Sequence, residues 1–229
     1  MKHTYDYPRP ALTADCVVFA VVGKSLKALL VQRGEEPFKG EMAIPGGFVH
    51  EGETAREAAA RELHEETGLV LKAPLEDCGV WTEPGRDPRG WVVSAAFWTI
   101  VPPEEVRGGS DAAAATWVDI QGVEMQGLAF DHAKILARAL KGLRERVRRA
   151  PVGFNLLPER FTLTDLQTIY EAVLSTTTDK RNFRKKVLRL GVLRRHREVN
   201  KGSRRPAALF SFDAGKYAHL VTKGIDFEI

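Results

Sequence analysis

The stretch Gly46–Leu69, GGFVHEGETAREAAARELHEETGL, narrows the options for this 229-residue chain more than any other. Thr54 followed by Glu57 has the spacing of a helix-opening capping box, and Gly68 suits a helix end, so Thr54 to Thr67 is predicted helical. On that helix Glu62, Glu65 and Glu66 stand at i, i+3 and i+4 and share a face. Taken alone, the Glu57–Arg61–Glu65 spacing fits a solvated helix stitched by ion pairs. Yet Glu62 and Glu66 repel at i,i+4, and Glu65 adds to the crowding. Such a cluster is best tolerated where a hard cation binds it. Magnesium, held by a few carboxylates with water or phosphate oxygens completing its octahedron, suits that description.

The wider spacing is more specific. From Gly47, five residues lead to Glu53, seven more to Arg61-Glu62-Leu63, then come Glu65-Glu66 and Gly68-Leu69. This arrangement resembles a complete Nudix box, a loop–helix–loop motif. The resemblance implies cleavage of the pyrophosphate of a nucleoside diphosphate linked to another group. It implies Glu62, Glu65 and Glu66 as ligands of magnesium or manganese. It also implies that Arg61 orients the acidic cluster, that Glu53 pairs with Arg61, and that Gly46 and Gly47 let the backbone approach the site. A divalent metal would neutralise the pyrophosphate and activate water. Either Glu65 or Glu66 could take the proton, so Arg61, Glu53, Glu65 and Glu66 form the expected catalytic set.

Around this motif, DCVVFAVVGKSLKALLVQR reads as two strands, about Asp15 to Val22 and Leu26 to Gln32. FKGEMAIPGG reads as a loop, and EDCGVWTEP, GWVVSAAFWTIV and AATWVDI as further strands. FDHAKILARALKGLRERVRR reads as a long helix despite Gly142. Strands and helices mix without strict alternation, which predicts an α+β domain over residues 1–148. With the resemblance, that becomes a Nudix fold, a mixed β-sheet between helices. Cys16 and Cys78 lie in apolar runs and read as buried hydrophobes. No apolar run approaches the ~20 residues of a membrane span, and the N-terminus lacks a basic start followed by an apolar stretch. A cytoplasmic protein with no membrane partner is expected.

Pro84 lies fifteen residues after Leu69, in EPGRDPRG. That loop resembles those of ADP-ribose-processing Nudix members, which implies ADP-ribose as ligand. Arg86 and Arg89 could then reach phosphate, and Trp81 or Trp91 could stack on adenine. The plainer reading is a turn with its arginines in solvent and both tryptophans in the core. Glu104, Glu105 or Asp111 could add a carboxylate, although loop acids are usually just solvated.

The C-terminal half has a different charge. From Pro151 onward 15 Lys/Arg face 8 Asp/Glu, whereas the rest has 19 against 22. Twelve basic residues and one acid, Glu198, fall between Lys180 and Arg205. A polyanion is the natural partner of such a half. TDLQTIYEAVL reads as a helix capped by Thr164 and Gln167, and DKRNFRKKVLRLG as a second, opened by Asp179 and closed at Gly191. VLRRHREVNKGSRRPAALFSF reads as a hairpin turning at NKGS. Helix, turn, helix and basic hairpin make a winged helix-turn-helix plan over residues 149–229. Lys180, Arg181, Arg184 and Lys185 would face a DNA groove, with Arg204 and Arg205 on the wing against phosphates. FNLLPERFTLTDLQTIYEAVL, DKRNFRKKVLRLGVL and SRRPAALFSF after a Nudix domain resemble the NrtR-type transcriptional regulators of bacterial NAD metabolism. The resemblance implies a homodimer on operator DNA, a repressor that senses ADP-ribose and, with every box position kept, could still hydrolyse it. The alternative is an ADP-ribose pyrophosphatase whose C-terminal domain dimerises or positions substrate.

Overall fold

The computed structural model describes residues 6–104, 106–109, 112–121, 127–200 and 206–223, with the backbone alone at 199 and 200. The chain divides into two compact units, Met1–Ala20 with Lys27–Lys141, and Val21–Leu26 with Gly142–Ile229.

The first unit is built on a seven-stranded mixed sheet. Its strands are β1 (Ala11–Val22), β2 (Ser25–Arg33), β3 (Met42–Ala43), β4 (Gly46–Phe48), β5 (Glu76–Trp81), β6 (Val92–Ile100) and β7 (Ala112–Asp119). The main order is β3-β2-β1-β6-β5, with β4 added to β1 and β7 to β2. β1 and β6 run parallel, and β4 pairs antiparallel with β1. β1 is buried from Thr13 to Ala20, which explains its nearly unbroken apolar run, as in strands covered on both faces. Helix α1 (Ala55–Thr67) packs Ala58, Ala59 and Leu63 against Cys16, Val18, Leu29 and Phe97. Its capping box at Thr54 and Glu57 is present, and Gly68 ends it at φ 74°. Helix α2 (His132–Arg149) continues through Gly142 and buries Ile135, Leu136, Ala139, Leu143 and Val147. Both cysteines are buried, and burial raises the Cys78 thiol to about 11.

The expected loop FKGEMAIPGG contains two short strands, β3 and the start of β4. Strands of two and three residues among Gly and Pro show no alternation, so pattern alone misses them. β4 matters because its register sets Gly46 opposite Asp15 and Gly47 opposite Ala14.

The second unit contains a 3-10 turn over Pro151–Leu156, α3 (Leu163–Leu174), α4 (Lys180–Arg189), a hairpin of β8 (Leu193–Asn200) and β9 (Ala207–Phe212), and α5 (Ala214–Thr222). Its core gathers Leu166, Tyr170, Val173, Phe183, Val187 and Val192. Tyr170 and Phe183 meet edge to face at 5.7 Å. Asp179 caps α4 as expected. The cap of α3 lies elsewhere: Thr162 and Asp165 form its box, one turn fraction earlier than Thr164 and Gln167. Gln167 is instead buried and donates to Glu171 and Thr178. The sequence TLTD offers both threonines, and Asp165 decides between them by reaching back to the Thr162 amide, 2.8 Å. Helix α5, capped by Asp213, has no counterpart in the sequence reading.

Thr162→Ala is therefore expected to lower stability by about 1 kcal/mol, the usual cost of a lost N-cap. Thr164→Ala, on an exposed site, should stay within about 0.5 kcal/mol. Urea unfolding of the two variants separates the cap positions.

Candidate functional site: an acidic helix facing a glycine strand

A cavity of about 400 Å³ opens in the first unit, bordered by α1, β4, the end of β2 and the 86–89 turn. Gly46, Gly47, Arg61, Glu62, Glu65, Glu66, Arg86 and Arg89 all line it, so these residues, scattered over 44 positions, are brought together. Glu53 does not line it but joins through Arg61. Pro84 is exposed and absent from the lining, as are half-buried Trp81 and 56%-exposed Trp91. The aromatic rings that do line the cavity are Phe48, Phe130 and His132, all missed by sequence reasoning. Glu105 and Asp111 lie outside the described residues, and the Glu104 carbonyl accepts from Trp117 Nε1 at 2.9 Å.

Arg61 organises the acidic cluster. Its Nε and Nη2 donate to the two Glu53 oxygens at 3.1 and 2.7 Å. Its Nη1 donates to Glu62 Oε1 at 2.8 Å and Glu65 Oε2 at 3.2 Å, and Nη2 also reaches the Phe48 carbonyl at 3.1 Å. Glu57 is taken by the helix cap, so only the Arg61–Glu65 half of the expected ladder forms. Glu66 is buried and accepts from the Gly46 amide at 3.0 Å. The glycines permit this closeness. A Cβ on Gly46 would lie 2.5 Å from the Ala14 carbonyl oxygen, and one on Gly47 would collide with the Glu62 carboxylate.

The cluster is thus less short of positive charge than its sequence suggests. Among the described residues no three acidic, His or Cys side chains converge at metal-ligand spacing, because Arg61 draws Glu62 and Glu65 while Gly46 holds Glu66. The donor chemistry still fits a hard divalent cation: carboxylate oxygens lie on one helix face, and Glu65 is 45% exposed.

A buried polar network forms part of the cavity wall, and the sequence signals it only by a lone acid in an apolar strand. Asp15 on β1 accepts from Ser94 on β6. Arg86 clamps Asp131 with both nitrogens, at 3.0 and 2.6 Å, and stands 3.8 Å from Asp15. His132 Nδ1 accepts the Ile44 amide at 2.9 Å, and burial keeps its pKa below the ordinary value. Arg86 was expected to reach phosphate; its guanidinium is 4% exposed and already paired. Arg89 is anchored to the buried carboxylate of Asp87, with Nη2 to Oδ2 at 2.7 Å.

In the second unit, Lys180, Arg181, Lys185, Lys186 and Arg189 of α4 are exposed around the buried Phe183 and Val187. Arg184 is half-buried and donates to Thr164 Oγ1 at 3.3 Å. On β8, Arg194 pairs with Asp213 and Glu198 with Arg160. Arg204 and Arg205 lie outside the described residues. No helix among the described residues is long and apolar enough to cross a membrane.

Residues 9–139 match the NUDIX domain family and residues 153–212 the NrtR DNA-binding winged helix domain. The chain belongs to the Nudix family. Within it, the fused winged helix places the chain with the NrtR-type regulators. It is 33% identical to the ADPR responsive transcriptional repressor NtrR of Acinetobacter baylyi, over 93% of this chain and 86% of that one. It is 44% identical to the ADP-ribose pyrophosphatase of Methanocaldococcus jannaschii, over 57% of this chain and 73% of that one. The crystal structure of Shewanella oneidensis NrtR complexed with a 27mer DNA superposes with a TM-score of 0.76 at 28% identity, covering 90% of this chain and 95% of that one. Nudix hydrolases generally use divalent metal cations.

The Arg61 hydrogen bonds, with the His50 amide next, hold the Glu53 carboxyl down to about 2. A depressed carboxyl contributes stability above its unfolded pKa, and loses it as pH falls through the folded value. Carbon-detected NMR should therefore show Glu53 titrating near 2, with its contribution fading below the ordinary range of about 4.3. In Arg61→Met, Glu53 should titrate in the ordinary range; an unchanged value would show that Arg61 is not the cause.

Proposed function

We propose that the protein is an ADP-ribose-responsive DNA-binding transcriptional repressor of NAD- or sugar-metabolism genes, acting as a cytoplasmic homodimer. The observation that carries this reading is the joining of a Nudix cavity, with its acidic helix, to a winged helix whose α4 exposes five cations. The likeness to the Acinetobacter repressor, which spans both parts, supports it. The functional boundary is placed at 148/149, with residues 1–148 sensing ligand and 149–229 binding operator DNA.

In this reading Glu62, Glu65 and Glu66 hold magnesium or manganese, which would shield the pyrophosphate charge and acidify water. Arg61 spaces Glu62 and Glu65, Gly46 holds Glu66, and Glu53 holds Arg61. The Gly46 and Gly47 backbone fits closely over the helix, leaving room for phosphate. Arg89 lines the part of the cavity that takes the ligand, held by Asp87. Arg181 and Lys185, exposed early on α4, meet base edges, while Lys180 and the wing residues Arg204 and Arg205 meet phosphates. Arg184, tied to Thr164, orients α4 at the DNA.

The second reading, an ADP-ribose pyrophosphatase, is favoured by the complete set of box carboxylates and by the 44% identity to the Methanocaldococcus enzyme. Both activities can coexist, with Glu65 or Glu66 as base.

Gel shift on DNA upstream of the chain's own gene is the deciding experiment. Specific binding is expected, weakened by ADP-ribose by a coupling of ~1–3 kcal/mol. Arg181→Ala should cost ~1–3 kcal/mol at the specific site and relax its sequence preference. No specific binding, together with metal-dependent release of AMP from ADP-ribose, would leave the enzyme reading.

Divalent metal should raise the melting temperature by mass action. Glu65→Gln combined with Glu66→Gln should abolish the shift. A shift of the same size in the double variant would remove these two residues from the metal site.

A further inference from the structure

Phe48 is an apolar side chain whose position core packing does not explain. The residue is 42% exposed and lines a cavity otherwise rich in charge. Its backbone is fixed from two sides. It pairs with Thr13 across β1 and β4, and its carbonyl accepts from Arg61 Nη2 at 3.1 Å.

The Arg89 guanidinium lies over this ring, 4.9 Å from its centroid. That cation is held firmly. Arg89 Nε donates to Asp87 Oδ1 and Oδ2 at 3.0 and 3.1 Å, and Nη2 to Oδ2 at 2.7 Å. Burial alone would raise the Asp87 pKa, but the bonds from Arg89 outweigh it and the net shift is downward. Phe130 supports the same guanidinium, with its ring centroid 5.3 Å from Arg89 Cζ.

Phe130 adopts a left-handed backbone at φ 54°, and Phe38, edge-on to it at 4.9 Å, does so at φ 65°. Bulky residues rarely occupy that region, and strain of this kind collects at binding sites. Both phenylalanines are only partly buried, packing one side against the cluster of Val31, Ala43, Ala112 and Ala129.

From these observations, and resting on the nucleotide-ligand reading above, we infer that Phe48 is the nucleobase platform of the cavity. The flat ring of a nucleoside diphosphate stacks on the part of Phe48 that Arg89 leaves uncovered. Arg89, held by Asp87 and Phe130, backs the platform. A guanidinium over one face draws π-density toward itself and makes the other a better partner for the electron-rich face of a purine. Arg89 is a positioning residue in this scheme, and the pyrophosphate is held elsewhere.

Calorimetry on the full chain with its box carboxylates intact, with calcium in place of magnesium so that ADP-ribose is not turned over, tests this with two probes, ADP-ribose and base-free inorganic pyrophosphate. Phe48→Ala should weaken ADP-ribose about 5- to 150-fold, the range for losing one stacked base, and leave pyrophosphate within about twofold. Phe48→Tyr should keep ADP-ribose within about threefold. Phe48→Leu, which keeps bulk but no π-face, should resemble the alanine variant. Arg89→Met should weaken ADP-ribose alone. Equal loss of both probes in Phe48→Ala, no loss of either, or full rescue by leucine would overturn the inference. Loss of pyrophosphate in Arg89→Met would make Arg89 a phosphate ligand and overturn its backing role. If the parent chain binds pyrophosphate but not ADP-ribose, the ligand reading fails first. Normal ADP-ribose binding in Phe48→Ala refutes only the platform.

Discussion

One guanidinium holds the candidate site together. Arg61 distributes its donors over Glu53, Glu62, Glu65 and the Phe48 carbonyl. The planar fork of arginine can serve several acceptors at fixed angles, which a lysine ammonium on its flexible stem cannot do. Through these bonds the loop before α1 and the outer face of α1 become one piece. Without them Glu62 and Glu65 would lose these charge-assisted bonds. Gly46 and Gly47 complete the arrangement, since a side chain at either would push β4 away from β1 or from Glu62.

A second layer of buried polar groups supports the first from below. Asp15, Ser94, Arg86, Asp131 and His132 come from β1, β6, the 82–91 loop and the start of α2. Burying such groups is costly unless they satisfy one another, and the clamp of Arg86 on Asp131 does so. His132 has a directional role. As the acceptor of the Ile44 amide it must leave Nδ1 unprotonated, and burial lowers the pKa of the ring in the same sense. That bond fixes the backbone two residues before Gly46.

The parts of the fold legible in the sequence were those with long or local patterns. The buried run of β1, the cap and stop of α1, and the Asp179 cap of α4 each act within a few residues. The shared helix face of Glu62, Glu65 and Glu66 was legible for the same reason, since helix periodicity sets it. Pro84 and the two tryptophans lie outside the cavity lining, which a loop sequence cannot show because it does not say which side chain turns inward. Arg86 turned inward because Asp131, 45 residues away, was there to receive it. Phe48 and Phe130 were invisible because an isolated aromatic in a short strand or loop has no pattern of its own. The Thr162 cap was missed because two threonines compete and only the position of Asp165 separates them.

The charge of the cavity bears on how such a sensor could work. A pyrophosphate is an anion, and Glu62, Glu65 and Glu66 would repel it. Arg61 offsets part of that repulsion, but its donors are already committed to carboxylates, as Arg86 is to Asp131. The carboxylates therefore favour a nucleoside diphosphate only when a divalent cation has neutralised them, so ligand and cation must bind with positive linkage. By reciprocity, ligand strengthens cation binding by the same factor. In the proposed regulator the acidic helix would then be needed for sensing as well as for hydrolysis. Retaining the complete set of carboxylates is consequently no proof of turnover, since a non-hydrolysing sensor of an anionic ligand would need them too.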